Sequence, residues 1–148
     1  KNHHITATKA ATTSKAKITG IIPEFMVKEG WDNADVEELV VPDMYRRKDL
    51  LLNKAEAIVA LAGGCGTLDE LMEAITAKQL GLIHVPIVIL NVNGYFNSLL
   101  NMLNRAVEEH FMRPEHKSLW SVVNTADEVL PAIEDSSVLP NARGLAAI

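Results

Sequence analysis

The sequence predicts an α/β fold of three layers, a parallel sheet with helices on both faces. Three observations carry this. The apolar runs Ala57 to Leu61 and Pro86 to Val92 have strand length and are continuous rather than alternating, as in strands covered on both faces. Longer segments with apolar residues at helical spacing alternate with them. And the stretch Ala57 to Gln79, AIVALAGGCGTLDELMEAITAKQ, passes from strand to helix through a glycine turn. Strands alternating with helices give a parallel sheet with right-handed crossovers.

The elements follow in order. Residues 1 to 15 are polar, rich in Thr, Lys and Ala, and show no clear period beyond an Ala-rich part compatible with a helix end. Lys17 to Ile22 reads as a strand stopped by Pro23, and Lys28 to Asp35 as a loop by composition. Glu38 to Val41 is a second strand, ended by Pro42. Asp43 is a good N-cap for a helix from Met44 to Ala55. Ala57 to Leu61 is the third strand. The helix from Thr67 to Gln79 carries Leu68, Leu71, Met72 and Ile75 on one face, with Thr67 and Glu70 spaced as a capping box. Pro86 to Val92 is the next strand, followed by a helix from Asn97 to Phe111 with Leu99, Leu100, Leu103, Ala106 and Val107 on its apolar face. Trp120 to Val123 is a short strand, and Thr125 caps a last helix to about Ile133. Residues 135–148 are small and polar, a loose tail on what the length of 148 residues predicts to be a single domain, 1–148.

Composition excludes several classes. Apolar residues make up 48%, charged residues 22%, and the formal net charge is -5, as in ordinary globular domains. With no basic cluster larger than Arg46, Arg47 and Lys48, nucleic acid is not the expected partner. No apolar run is long enough to span a bilayer and the first residues lack a signal-peptide core, so neither a membrane nor secretion is expected. The single cysteine, Cys65, excludes an internal disulfide and fits a reducing, cytoplasmic compartment. Its place in the turn would favour a thiolate, but a small residue filling a variable slot explains it more simply. The histidines show no zinc-ligand spacing, and no metal is expected.

Gly63, Gly64 and Gly66 lie directly after a buried strand and directly before a helix. That placement allows positive φ and close approach of a bulky group to the backbone. The amides there sit at the positive end of the helix dipole, so an anion, and first of all a phosphate, is the expected guest. The capping box explains Glu70 without chemistry, but one glycine would suffice for the turn. Arg46, Arg47 and Lys48 crowd a helix start where the dipole disfavours cations by up to about 1 kcal/mol each. Solvent screening offsets that cost in one reading; a nearby anion does in the other. In a parallel sheet each helix follows the C-terminal edge of its strand. Arg46 and Arg47 therefore share an edge with the glycine turn, as do Pro23, Glu24, Asn91, Asn93 and Gly94, and ligands of open α/β sheets bind along that edge.

Met-Tyr-Arg-Arg-Lys (Met44 to Lys48) followed by Ala-Gly-Gly-Cys-Gly-Thr-Leu-Asp-Glu (Ala62 to Glu70) resembles the paired M-x-x-R-K and P-G-G-x-G-T-x-x-E signatures of the LONELY GUY family. Its members are cytokinin riboside 5'-monophosphate phosphoribohydrolases, often labelled lysine decarboxylase-like. Gly20 to Glu24, Ala74 to Gly81 and Leu90 to Leu100 extend the resemblance over most of residues 17 to 135. It implies a Rossmann-like nucleotide-binding domain that needs no cofactor. Arg47 and Glu70 stand at the catalytic positions; Gly63, Gly64, Cys65, Gly66 and Thr67 stand in the phosphate cradle, and Met44 and Lys48 are expected to bind the nucleotide with them. The implied reaction is hydrolysis of the N-glycosidic bond of a cytokinin-type or adenine nucleoside 5'-monophosphate. A homodimer is implied too, burying helices 67–79 and 97–111. Ala62 replaces the usual proline, Asn93 stands where aspartate is common, and the residues before Lys17 are too few for the family's first strand and second glycine-rich turn. The N-terminal part is therefore expected to be incomplete.

Two other functions compete. A non-catalytic nucleotide-binding module would use the same scaffold. A decarboxylase would need pyridoxal phosphate on a Schiff-base lysine, for which Lys48 and Lys78 are present but nothing in the sequence marks either as desolvated.

Overall fold

The computed structural model describes residues 13–137. The chain gathers into two compact units, Lys1–Lys54 and Ala55–Ile148. Every described strand pairs in parallel, with helices packed on the strands, so the chain is α/β and Rossmann-like. The strands form two ladders rather than the one sheet expected.

In the first unit β1 (Thr19–Pro23) pairs with β2 (Glu37–Val41), from Thr19 opposite Glu37 to Pro23 opposite Val41. Pro23 was expected to stop the strand; it is the last paired residue and is buried. A proline lacks the ladder donor, so the end of a strand is where it is tolerated. Its extended backbone (φ -69°, ψ 146°) then opens a short helix, α1 (Glu24–Lys28), which the sequence reading left unassigned. Glu24 in the first turn and Lys28 in the last match the helix dipole. Gly30 ends it in the left-handed region (φ 70°): its amide donates to Val27 O, and Trp31 N–H donates to Met26 O. That is the 5→2 and 6→1 pair of a Schellman stop. The parallel return to β2 follows. Helix α2 (Met44–Asn53) packs on both strands and ends two residues earlier than expected. Asp43 is its N-cap, Oδ1 accepting from Arg46 N–H at 2.7 Å. Ile22, Val41 and Leu50 form the buried apolar centre of this unit.

In the second unit β4 (Ile87–Leu90) lies between β3 (Ile58–Ala60) and β5 (Ser121–Val123). Ile87, Val88 and Ile89 are almost wholly buried, which is why that run does not alternate. Helix α3 (Cys65–Gln79) packs on β3 and buries Leu71, Ala74 and Ile75. Gly81 (φ 73°) stops it by the same bonds as Gly30, Gly81 N–H to Lys78 O and Leu82 N–H to Ala77 O. Helix α4 (Asn97–Glu108) buries Leu103 and Val107. After a 3-10 segment (Pro114–Leu119) and β5, Thr125 opens a 3-10 turn (Ala126–Glu128) that leads into α5 (Val129–Ser137), packed on β4 and β5. Here the capping box is real: Glu128 Oε2 accepts from the Asn124 and Thr125 amides at 2.8 and 2.9 Å. These bonds hold the Glu128 carboxyl below its usual range. Helix α5 continues past Ile133 and Asp135 to Ser137; the rest of the expected tail, like residues 1–12, lies outside the described residues.

The Asp43 cap gives a first prediction. Asp43→Ala removes an acceptor from an exposed helix start and is expected to lower stability by about 1 kcal/mol, seen as a reduced urea midpoint with an unchanged slope.

Candidate nucleotide site

The glycine turn begins where β3 ends. Gly64 takes an extended N-cap geometry (φ -89°, ψ -154°), and Leu68 N–H donates to Gly64 O at 3.1 Å as the first bond of α3. The helix therefore starts at Cys65, two residues before the expected start. Thr67 lies within the first turn and no side chain caps the helix, so the expected Thr67–Glu70 capping box is not formed. Glycine serves as N-cap almost as well as a hydroxyl residue, which leaves Thr67 for another task. Glu70 sits in the second turn, half-buried, and capping no longer explains it.

The expected positive φ is likewise not what these glycines supply. The left-handed glycines among the described residues are Gly30, Gly81 and Gly94. Gly63 is needed for space, because a Cβ there would overlap Thr67 Oγ1 and lie 2.9 Å from Thr67 Cβ. Gly64 and Gly66 have nothing within 4 Å of such a Cβ. No internal contact accounts for them, and the room above them is open. The amides of Cys65, Gly66 and Thr67 precede the first residue that can donate back along the helix, so by position they lack intrahelical acceptors. They stand at the positive end of the dipole of the longest helix described. Cys65 is exposed. An anion approaching over Gly64 and Gly66 meets glycine backbone beside the exposed Cys65.

A neighbouring turn holds this one. Tyr95 Oη donates to Gly63 O at 2.6 Å, a contact the sequence reading missed. Asn-Gly after a strand is a readable left-handed turn signal, and Asn93 (φ 53°) and Gly94 (φ 71°) obey it. Where the following hydroxyl lands is not readable.

The basic residues belong to the first unit. Arg47, half-buried on α2, donates from Nε to Ile21 O of β1 at 2.9 Å, which fixes the plane of its guanidinium. Arg46 is exposed and pairs with Asp49 one turn along the same helix. The two adjacent arginines thus face different surroundings. Met44 and Lys48, both half-buried, flank Arg47 on the first turns of α2. Met44, Arg47 and Lys48 are grouped on one helix start, and Gly63 to Glu70 on another.

Lys78 departs from expectation in one respect. It is half-buried, and desolvation lowers its pKa from the ordinary lysine value. It sits in the last turn of α3, however, about 20 Å along the helix from Cys65. A pyridoxal phosphate whose phosphate occupied the glycine turn could not reach it. The lysine does not fit that cofactor, and no step is derived through it.

The glycines give opposed stability and binding expectations. Gly63→Ala is expected to destabilise by overlap with Thr67. Gly66→Ala, inside a helix with open space above it, is expected to leave stability unchanged or raise it by up to about 1 kcal/mol while weakening phosphate binding. Thermal melts with phosphate titrations of both variants check this.

The comparisons with known proteins agree with the sequence resemblance. The family model described as possible lysine decarboxylase matches residues 5–133. Relatives include the rice (Oryza sativa subsp. japonica) probable cytokinin riboside 5'-monophosphate phosphoribohydrolase LOGL3, 40% identical over 119 residues, which are 80% of this chain and 56% of the rice protein. The Arabidopsis thaliana cytokinin riboside 5'-monophosphate phosphoribohydrolases LOG3 and LOG1 are 40% and 39% identical, again across 80% of this chain and 55% and 56% of their own lengths. The chain thus spans about half the length of the curated relatives it matches. It belongs to the family described as possible lysine decarboxylase, the LONELY GUY family of the sequence resemblance.

Proposed function

We propose that this chain is a nucleoside 5'-monophosphate phosphoribohydrolase acting on an adenine or cytokinin-type nucleotide. The observation that carries the proposal is the open space over Gly64 and Gly66 at the start of α3. Backbone that is bare for no internal reason, at a helix N-terminus, suits the 5'-phosphate of a nucleotide. The activity named for the rice and Arabidopsis relatives supports the same reading.

In the proposed reaction water adds to the anomeric carbon as the N-glycosidic bond breaks. The bonding electron pair leaves with the base, which takes up a proton, and the products are free base and ribose 5-phosphate. The sugar passes through an oxocarbenium-like state, as in glycoside hydrolysis. Glu70 would stabilise that positive charge or position the water. Arg47, oriented by its bond to Ile21 O, would hold the phosphate or ribose or assist the departing base. Holding the remote phosphate orients the reacting bond.

A cytoplasmic homodimer is part of the proposal. Leu68 on α3, Met102 on α4 and Phe111 just beyond it are exposed, the last at 81%, as helices waiting for a second copy would be. Among the described residues no helix is long and apolar enough to cross a membrane.

Incubation with AMP and with isopentenyladenosine monophosphate, followed by chromatography of the base, tests the activity. A chain that binds nucleotide and releases no base is instead a non-catalytic binding module. For the enzyme, Glu70→Gln is expected to lower turnover by roughly two to three powers of ten with nucleotide binding nearly kept. Arg47→Ala is expected to lower it far more than Arg46→Ala, because Arg46 is engaged with Asp49 on the surface. Equal losses for the two arginines would remove the assignment of Arg47.

A further inference from the structure

The Tyr95 hydroxyl is half of a contact that ties together two turns 32 residues apart. We propose that Tyr95 is a positioning residue for the anion site, holding the Gly63–Gly64 peptide so that the Gly64 amide joins those of α3. The inference rests on the phosphate reading of the glycine turn.

The described peptides are all trans. In a planar trans peptide the carbonyl of one residue and the amide N–H of the next point in opposite directions. Anchoring Gly63 O on Tyr95 therefore turns Gly64 N–H the other way. Thr67 also lies against the Gly63 Cα, so closely that no Cβ fits. Gly63 thus has two contacts at its backbone, although glycine gives it the freest backbone of any residue.

Tyr95 is itself held. Its ring meets the buried ring of Phe96 edge-on, with centroids 5.0 Å apart at 88°. Asn91, 6% exposed, accepts from Phe96 N–H at 2.7 Å through Oδ1 and donates to Asn97 Oδ1 at 2.9 Å. Gly94 N–H donates to Asn91 O and Tyr95 N–H to Val92 O, each at 3.2 Å. A Cβ at Gly94 would lie 2.6 Å from Asn97 Nδ2, so the turn also depends on a glycine. Tyr95 is 54% exposed, and burial alone does not explain a tyrosine there. A rigid turn at the end of β4 thus presents a single hydroxyl to a carbonyl at the end of β3. Preorganised donors bind an anion more tightly than donors that must first be ordered.

Tyr95→Phe in the full chain keeps the ring and its contact with Phe96 and removes only the donor. Affinities for inorganic phosphate and for AMP are expected to fall by the same factor, roughly 2 to 10, the worth of one net hydrogen bond. KM for AMP should rise by that factor with kcat within about twofold, and backbone NMR order parameters at Gly64 to Thr67 should fall. A general loss of packing would instead lower kcat and speed amide exchange throughout β4 and α4, and that result overturns the inference. So does a Phe variant that binds phosphate like the parent with unchanged order parameters at the turn. If the parent itself binds neither phosphate nor AMP, the phosphate reading falls first and takes the inference with it.

Discussion

The constraint on which the rest depends is that a helix cannot satisfy its own first amides. In α3 those amides open beside Gly64, whose extended backbone makes it the N-cap without supplying any capping side chain. Most helices cover this end with a serine, threonine or aspartate, as Asp43 does for α2 and Thr125 for the turn before α5. Here threonine is present but sits three residues past the cap position, folded back over Gly63. A side-chain cap, worth about a few tenths of a kcal/mol over glycine, is forgone at this helix start. Sites that bind are where such local inconsistencies are expected.

Strand order and helix direction make that uncapped end useful. Because β3 and β4 are parallel, the turns that follow them, Gly63 to Gly66 and Asn91 to Phe96, leave the ladder at the same end. Neighbouring turns on one edge can then hold each other, as Tyr95 holds Gly63. The burial of Ile87, Val88 and Ile89 on both faces of β4 makes the platform stiff, so its ends have little freedom to shift.

Much of this was legible in sequence because it is local. The continuous run in β4, the Asp43 cap, and the strand, glycine turn and helix of Ala57 to Gln79 all follow from residue types at short spacing. The capping box was misread for the same reason. Thr67 and Glu70 have the right separation, but whether Thr67 is the cap depends on where the helix starts, and the Gly64 backbone decides that. Helix α1 went unread because five residues, EFMVK, are too few to show a period. The Arg47 bond to Ile21 O and the Tyr95 bond to Gly63 O join residues 26 and 32 positions apart, and no spacing rule reaches that far.

The central claim is that the uncapped start of α3 receives the phosphate of a nucleotide. The most direct measurement follows the backbone amide resonances of Gly64, Cys65, Gly66 and Thr67 while AMP, ribose 5-phosphate and adenosine are titrated in turn. The account predicts large, saturable shifts at these four amides with AMP and with ribose 5-phosphate, and little change with adenosine. Equal shifts with adenosine, or phosphate-dependent shifts that fall elsewhere and leave these amides unmoved, would contradict it.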